Sequence, residues 1–147
     1  MAQGVKMEGY FHKNPLERNP ALLNALTLAY LGDSVYEVYV RYTLIAQGKV
    51  NPHRLHREAI RFVAAKGQSR QLERIKEELT TEEEAIVRRA RNSKPSHSPK
   101  HAVMKDYLQA TAFEALIGYL FLTGKKERME ELIDLGIEEI LKEAESK

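Results

Sequence analysis

The sequence predicts an all-α fold, and three observations carry that expectation. No window of clean period-two alternation appears anywhere along the 147 residues. Two segments, 33–45 and about 100–123, are apolar at helical spacing around most of their circumference, the mark of central helices. Asn-Pro, Gly and Thr-x-x-Glu punctuation recurs at helix-length intervals between them. The length suits one domain with one core, without an internal repeat or an interdomain linker.

The elements follow in order. Residues 1–18 read as a loose N-terminal segment, and 19–147 as the folded domain. Asn19 caps a first helix with Pro20 at its opening position. Gly32 marks a bend before a second helix that runs to about Gln47 and stops at Gly48. A second Asn-Pro pair, Asn51-Pro52, opens a helix ending at Gly67, and "QSRQLERIKEELT" continues as another. "TTEEEAIVRRARN" begins with a capping box, Thr81 with Glu84, in which each side chain satisfies an orphan backbone N–H. "NSKPSHSPKH" is a loop by its Pro and Ser content. Ser98-Pro99 caps a long helix from about 100 to 123, Gly124 stops it, and a charged amphipathic helix closes the chain.

Composition bounds the function. Hydrophobic content of 43% with 30% charged residues describes an ordinary globular chain, and the absence of cysteine excludes disulfides and thiolate metal sites. The N-terminal stretch has no apolar core of a signal peptide. The longest apolar run, near 110–122, falls short of the ~20 residues that span a bilayer. The expected location is the cytoplasm, with no membrane partner. Net charge is only +2 but uneven. Residues 85–105 hold Arg88, Arg89, Arg91, Lys94, Lys100 and Lys105 with no acidic residue, whereas 127–145 is strongly acidic. This polarity suggests a polyanion-binding side, and two solvated faces would account for it equally.

The two most apolar segments each contain an isolated carboxylate. Asp33, Glu37 and Arg41 form one narrow polar stripe at four-residue spacing; Thr111, Glu114 and Gly118 form the other. A lone buried carboxylate must shift its pKa, pair, or bind a metal. If the two helices pack, Asp33 and Glu114 converge, with Gly118 permitting close approach. Hard oxygen ligands of this kind suit Mg2+ or Mn2+ completed by water. Simpler readings stand beside this one. Asp33 as a helix N-cap, Glu114 in a salt bridge to an arginine of the basic segment, and Glu37 paired with Arg41 each explain one residue without a metal.

"LAYLGDSVYEVYVR" with "TAFEALIGYLFL" resembles the ribonuclease III catalytic domain, specifically the Mini-III ribonucleases, which lack an appended double-stranded-RNA-binding domain. The resemblance covers residue 20 to the early 130s. It implies a helical homodimeric endoribonuclease that cleaves double-stranded RNA with Mg2+ and leaves 5′-phosphate and 3′-hydroxyl ends. It also implies maturation of the large-subunit (23S) ribosomal RNA precursor, with a large-subunit ribosomal protein as a further candidate partner. Asp33 in "LGDS" and Glu114 in "FEALIG" match the family's metal-holding catalytic residues. Two family carboxylates are missing: Ala29 and Thr111 stand in their places, leaving Glu37 and Asp106 as candidate substitutes. A non-catalytic module that binds structured RNA or a ribosome-assembly intermediate is the alternative, and a helical interaction protein a third reading.

Duplex RNA is held mainly through phosphates and 2′-hydroxyls. Arg88, Arg91, Lys94, His97 and Lys100 form one candidate RNA-binding segment; Arg54, Arg57 and Arg61 form a basic stripe on the third helix, or a solvated face. His97 and His101 are loop hydrogen-bonders rather than a zinc pair, since Ser-Pro intervenes. Tyr30, Tyr36, Tyr39 and Tyr42 cluster around one helix, more than a small core buries, so a symmetric dimer would use the surplus. Core packing with hydroxyls at the surface is the other account.

Overall fold

The computed structural model describes residues 16–93 and 103–145, the side chains as far as Glu143. The loose segment expected at 1–18 falls mostly outside these residues, as do Ser98-Pro99, Lys94, His97, Lys100 and His101. All regular structure described is helical: α1 (Ala25–Ala46), α2 (Pro52–Val63), α3 (Ala65–Ile75), α4 (Thr81–Arg91), α5 (Met104–Leu122) and α6 (Lys126–Glu145), with short 3-10 turns at Pro20–Leu22 and Lys76–Glu78. Among the described residues no helix is long and apolar enough to cross a membrane.

Helix α5 is the hub. It packs most extensively on α1, then on α3 and α4, while α3 also carries α6. Residues 109–113 and 115–120 of α5 are all buried, as a helix apolar nearly all round requires. The Tyr36 ring of α1 meets Phe113 of α5 edge-on, with centroids 5.1 Å apart and planes at 86°, a favoured aromatic geometry.

Several boundaries differ from expectation, each for a physical reason. Asn19 caps only the Pro20–Leu22 turn; Asn24, accepting from the Leu26 N–H at 2.8 Å, caps α1 itself. Gly32 introduces no break, and Asp33, seated well inside α1, is not an N-cap. Gly67 does not end a helix either. The chain breaks earlier, at Ala64 (ψ 152), and Gly67 lies buried in the first turn of α3, where a Cβ would stand 2.1 Å from the Arg61 carbonyl oxygen. The capping box is one residue earlier than the one read from sequence. Thr80 accepts from the Glu83 N–H at 3.2 Å, and Glu83 accepts from the Thr80 N–H at 2.9 Å. Both Thr-x-x-Glu registers exist; the buried Glu83 wins because it also receives Arg128 Nε at 2.9 Å and Nη2 at 2.8 Å. Helix α5 starts at Met104 rather than near 100, with Val103 as its cap and no side-chain capping bond.

Gly48 (φ 90) and Gly124 (φ 72) end α1 and α5 as expected. In each case the residue after the glycine donates back to the carbonyl five positions earlier, Lys49 to Leu44 at 3.2 Å and Lys125 to Leu120 at 3.0 Å, the Schellman closure.

Candidate active site

The site arises where α1 and α5 cross with no side chains between their backbones. A Cβ on Gly32 would lie 1.7 Å from the Glu114 carbonyl oxygen, and one on Gly118 would lie 2.0 Å from that of Leu28. Only glycine fits at both crossing points, so residues 28–32 and 114–118 lie against each other. Asp33 follows one of these glycines directly, and Glu114 lies one turn before the other. The crossing therefore sets their carboxyl groups side by side.

Their surroundings differ. Asp33 is exposed, whereas Glu114 is largely buried. Burial, then a hydrogen bond with Asp33 and the Asp33 charge, with a smaller contribution from Glu37, push the Glu114 carboxyl up to about 9. In the metal-free protein the Glu114 carboxyl therefore keeps its proton at neutral pH. Two carboxylates set side by side, one open to solvent and one largely buried, are hard oxygen donors of the kind that suit a divalent cation. Asp33 and Glu114 are the residues that would hold such an ion. Among the described residues no group of three or more acidic or histidine side chains forms a metal cluster, so the candidate ligand set there is this pair.

The other candidates are placed as follows. Glu37 lies on the same α1 stripe, near enough for its charge to act on Glu114, but its carboxylate pairs with Arg41 at 3.3 Å. Asp106 is in the first turn of α5, two turns before Glu114. Ala29 is buried, and the buried Thr111 donates its hydroxyl to the Tyr107 carbonyl at 3.0 Å, so neither adds a ligand. Arg88 and Arg91 are exposed on the last turn of α4, and Arg54 and Arg57 are exposed on α2. Arg61 is engaged within the fold: it donates to the Ile140 carbonyl at 3.0 Å, pairs with Glu58 at 3.4 Å, and lies 5.6 Å from the Phe62 ring centroid. Of the tyrosines, Tyr36 is buried and Tyr39 donates to Glu130 at 2.7 Å, while Tyr30 and Tyr42 are 83% and 70% exposed.

Sequence reading missed Gln68. This α3 residue, 1% exposed, donates from Nε2 to Glu114 Oε2 at 3.5 Å; an amide, not an arginine, faces Glu114 among the described residues. A signal was present. Positions 68, 71, 72 and 75 form the inward stripe of α3, and two of the four are glutamines. Buried glutamines on a core face need partners.

A model of the ribonuclease III domain matches residues 26–125, a span holding both carboxylates. The chain is 50% identical to Mini-ribonuclease 3 of Brevibacillus brevis over 82% of its own length and 90% of that protein's. It is 46% identical to the Mini-ribonuclease 3 of Symbiobacterium thermophilum, over 78% and 88%. An X-ray structure of a protein from Fusobacterium nucleatum superposes with a TM-score of 0.72 at 33% identity, covering 78% of this chain and 93% of that one.

Proposed function

Because the chain belongs to the ribonuclease III family and is an endoribonuclease of the Mini-ribonuclease 3 kind, we propose that it cleaves double-stranded RNA at a divalent cation held by Asp33 and Glu114, as a homodimer. The observation that carries the reading is the glycine-to-glycine crossing that sets an exposed and a buried carboxylate side by side. Mg2+, with Mn2+ as a substitute, would supply Lewis-acid polarisation of the scissile phosphodiester and a more acidic water there. Asp33, open to solvent, faces the incoming backbone, and Glu114 anchors from below. Arg88 and Arg91, with Lys94, His97 and Lys100, would neutralise phosphates, as would Arg54 and Arg57 on α2. The products carry 5′-phosphate and 3′-hydroxyl ends. The proposed substrate, which the sequence resemblance implies, is the 23S ribosomal RNA precursor, with a large-subunit ribosomal protein as an accessory partner and the cytoplasm as the location.

The dimer rests on the outward face of α1. Tyr30, Val38, Tyr42 and Ile45 are exposed there, and Ile45 and Ile60 edge an apolar groove of about 400 Å³ between α1 and α2. Large apolar side chains exposed on one side of a helix in this way support a surface that a partner covers. A second copy places a second carboxylate pair on the other strand of a duplex.

Asp33→Asn tests the proposal. Cleavage of a duplex RNA in Mg2+ should fall by at least roughly 1,000-fold, about 4 kcal/mol of barrier, with duplex binding by gel shift retained. A wild-type protein inert on duplex RNA with both Mg2+ and Mn2+ would leave a binding module instead.

A further inference from the structure

We propose that Gln68 is a positioning residue for the carboxylate pair: its buried amide orients Glu114 toward the cation that Asp33 and Glu114 share. The inference rests on the metal-site reading above and adds a residue to it. Three observations place Gln68 there. Its side chain is sealed between α3 and α5, and Nε2 addresses one oxygen of Glu114, Oε2, at 3.5 Å, leaving Oε1 for other partners. The turn of α3 that carries it is clamped. Gln71 Nε2 donates to the Phe62 carbonyl at 2.9 Å and to the Gly67 carbonyl at 3.2 Å, and the Tyr36 hydroxyl donates to Gln71 Oε1. Tyr36 is one turn beyond Asp33 on α1, and Phe113, against which it packs, precedes Glu114 on α5. The Gln71 bonds tie α1 and the end of α2 to the turn of α3 that carries Gln68, and the Tyr36–Phe113 ring contact ties α1 to α5 beside Glu114.

The chemistry of the donor is apt. A lysine or arginine in this position would neutralise Glu114 and compete with the cation. A neutral amide restrains the carboxylate without cancelling its charge. Outer partners of metal ligands act in this way, and their loss weakens metal affinity by roughly 10- to 100-fold.

Gln68→Met keeps the length and apolar stem and removes the donor. Mn2+ binding to the RNA-free protein, read from the free-ion signal in electron paramagnetic resonance, should weaken at least about tenfold. On duplex RNA, kcat at fixed Mg2+ should fall and recover as Mg2+ is raised, with KM for the duplex unchanged. A variant with a lower melting temperature and wild-type Mn2+ affinity would overturn the proposal, because that is the signature of packing alone. The wild-type protein supplies a second measurement that needs no variant to fold. On Mg2+ titration the Gln68 side-chain amide resonance should shift with the same midpoint as the Glu114 backbone amide, and an unmoved resonance would also overturn the assignment. If wild-type protein neither binds Mn2+ nor cuts duplex RNA, the metal site itself falls. If it does both and Gln68→Met matches it, only the role of Gln68 falls.

Discussion

Helices α1 and α5 are the two most apolar segments of the chain, yet their surroundings differ. Helix α5 is enclosed by α1, α3, α4 and α6, and from residue 109 to 120 only Glu114 escapes full burial. Helix α1 buries Leu28, Val35, Tyr36, Val40 and Leu44 on one side and leaves Tyr30, Val38, Tyr42 and Ile45 on the other in water, Val38 at 65% and Ile45 at 54% exposure. The lesson is that apolarity around a helix reports only how much surface is to be covered, not by which chain. In α5 the cover is the domain's own core. In α1 the outward side has no cover among the described residues, and this is the helix that carries Asp33.

The most severe way to break the comparison is at the point where the two helices meet. Gly32→Ala drives a methyl group into the Glu114 carbonyl, and backbone cannot give way as a flexible side chain can. The variant should lose more than about 4 kcal/mol of stability, most of what a small domain has, and should yield little folded protein by circular dichroism.

Next come truncations on the two helices. Leu116→Ala, in the enclosed part of α5, should cost roughly 2–5 kcal/mol at any protein concentration. Val38→Ala should cost the monomer less than about 0.5 kcal/mol, because the side chain is largely in water there. Tyr42→Glu should convert a dimer into a monomer by light scattering, and wild-type melting should rise with concentration while that of the variant does not. A wild-type protein that is monomeric at micromolar concentrations would refute the reading of α1.

The carboxylates offer a finer contrast between the exposed and the enclosed helix. Glu114 has an ordinary value of 4.5 and a folded value of about 9. The folded state therefore holds the proton more tightly, and this group's contribution is most favourable below pH 4.5 and declines as pH rises toward 9. Metal-free protein should lose stability over that window, and Glu114→Gln should flatten the dependence and melt at least roughly 5 °C higher at pH 8, about 2 kcal/mol. A saturating divalent cation should reverse the order, because it stabilises the ionised pair in wild type and has lost a ligand in the variant.

These contrasts also separate what was legible in the sequence from what was not. Several signals that act within a few residues read correctly: Asn51-Pro52 opened a helix, and Gly48 and Gly124 closed two, although Asn19-Pro20 opened only a 3-10 turn. Signals that depend on a distant partner did not. Gly32 and Gly67 looked like breaks because the carbonyls that exclude a Cβ, of Glu114 and Arg61, come from packing. Thr80 and Thr81 were locally equivalent caps until Arg128, far along the chain, selected Glu83. The facing of α1 and α5 was legible through Gly118, a small residue one turn from an isolated carboxylate. Gln68 was not, since a glutamine's role depends wholly on what it faces.

The smallest effect concerns the basic residues, and it separates those that the fold already uses from those left to RNA. Arg88 and Arg91 project from the end of α4, which packs on the helix carrying Glu114. Replacing either by alanine removes one phosphate-neutralising charge. The slope of log affinity against log salt should then fall by about 1, with affinity reduced uniformly across duplex sequences. Arg61 has the same charge, but its guanidinium is committed to the Ile140 carbonyl and Glu58. Arg61→Ala should therefore lower the melting temperature and leave the salt slope unchanged. Equal slopes for Arg88→Ala and wild type would remove α4 from the RNA-binding face, whatever its charge suggests.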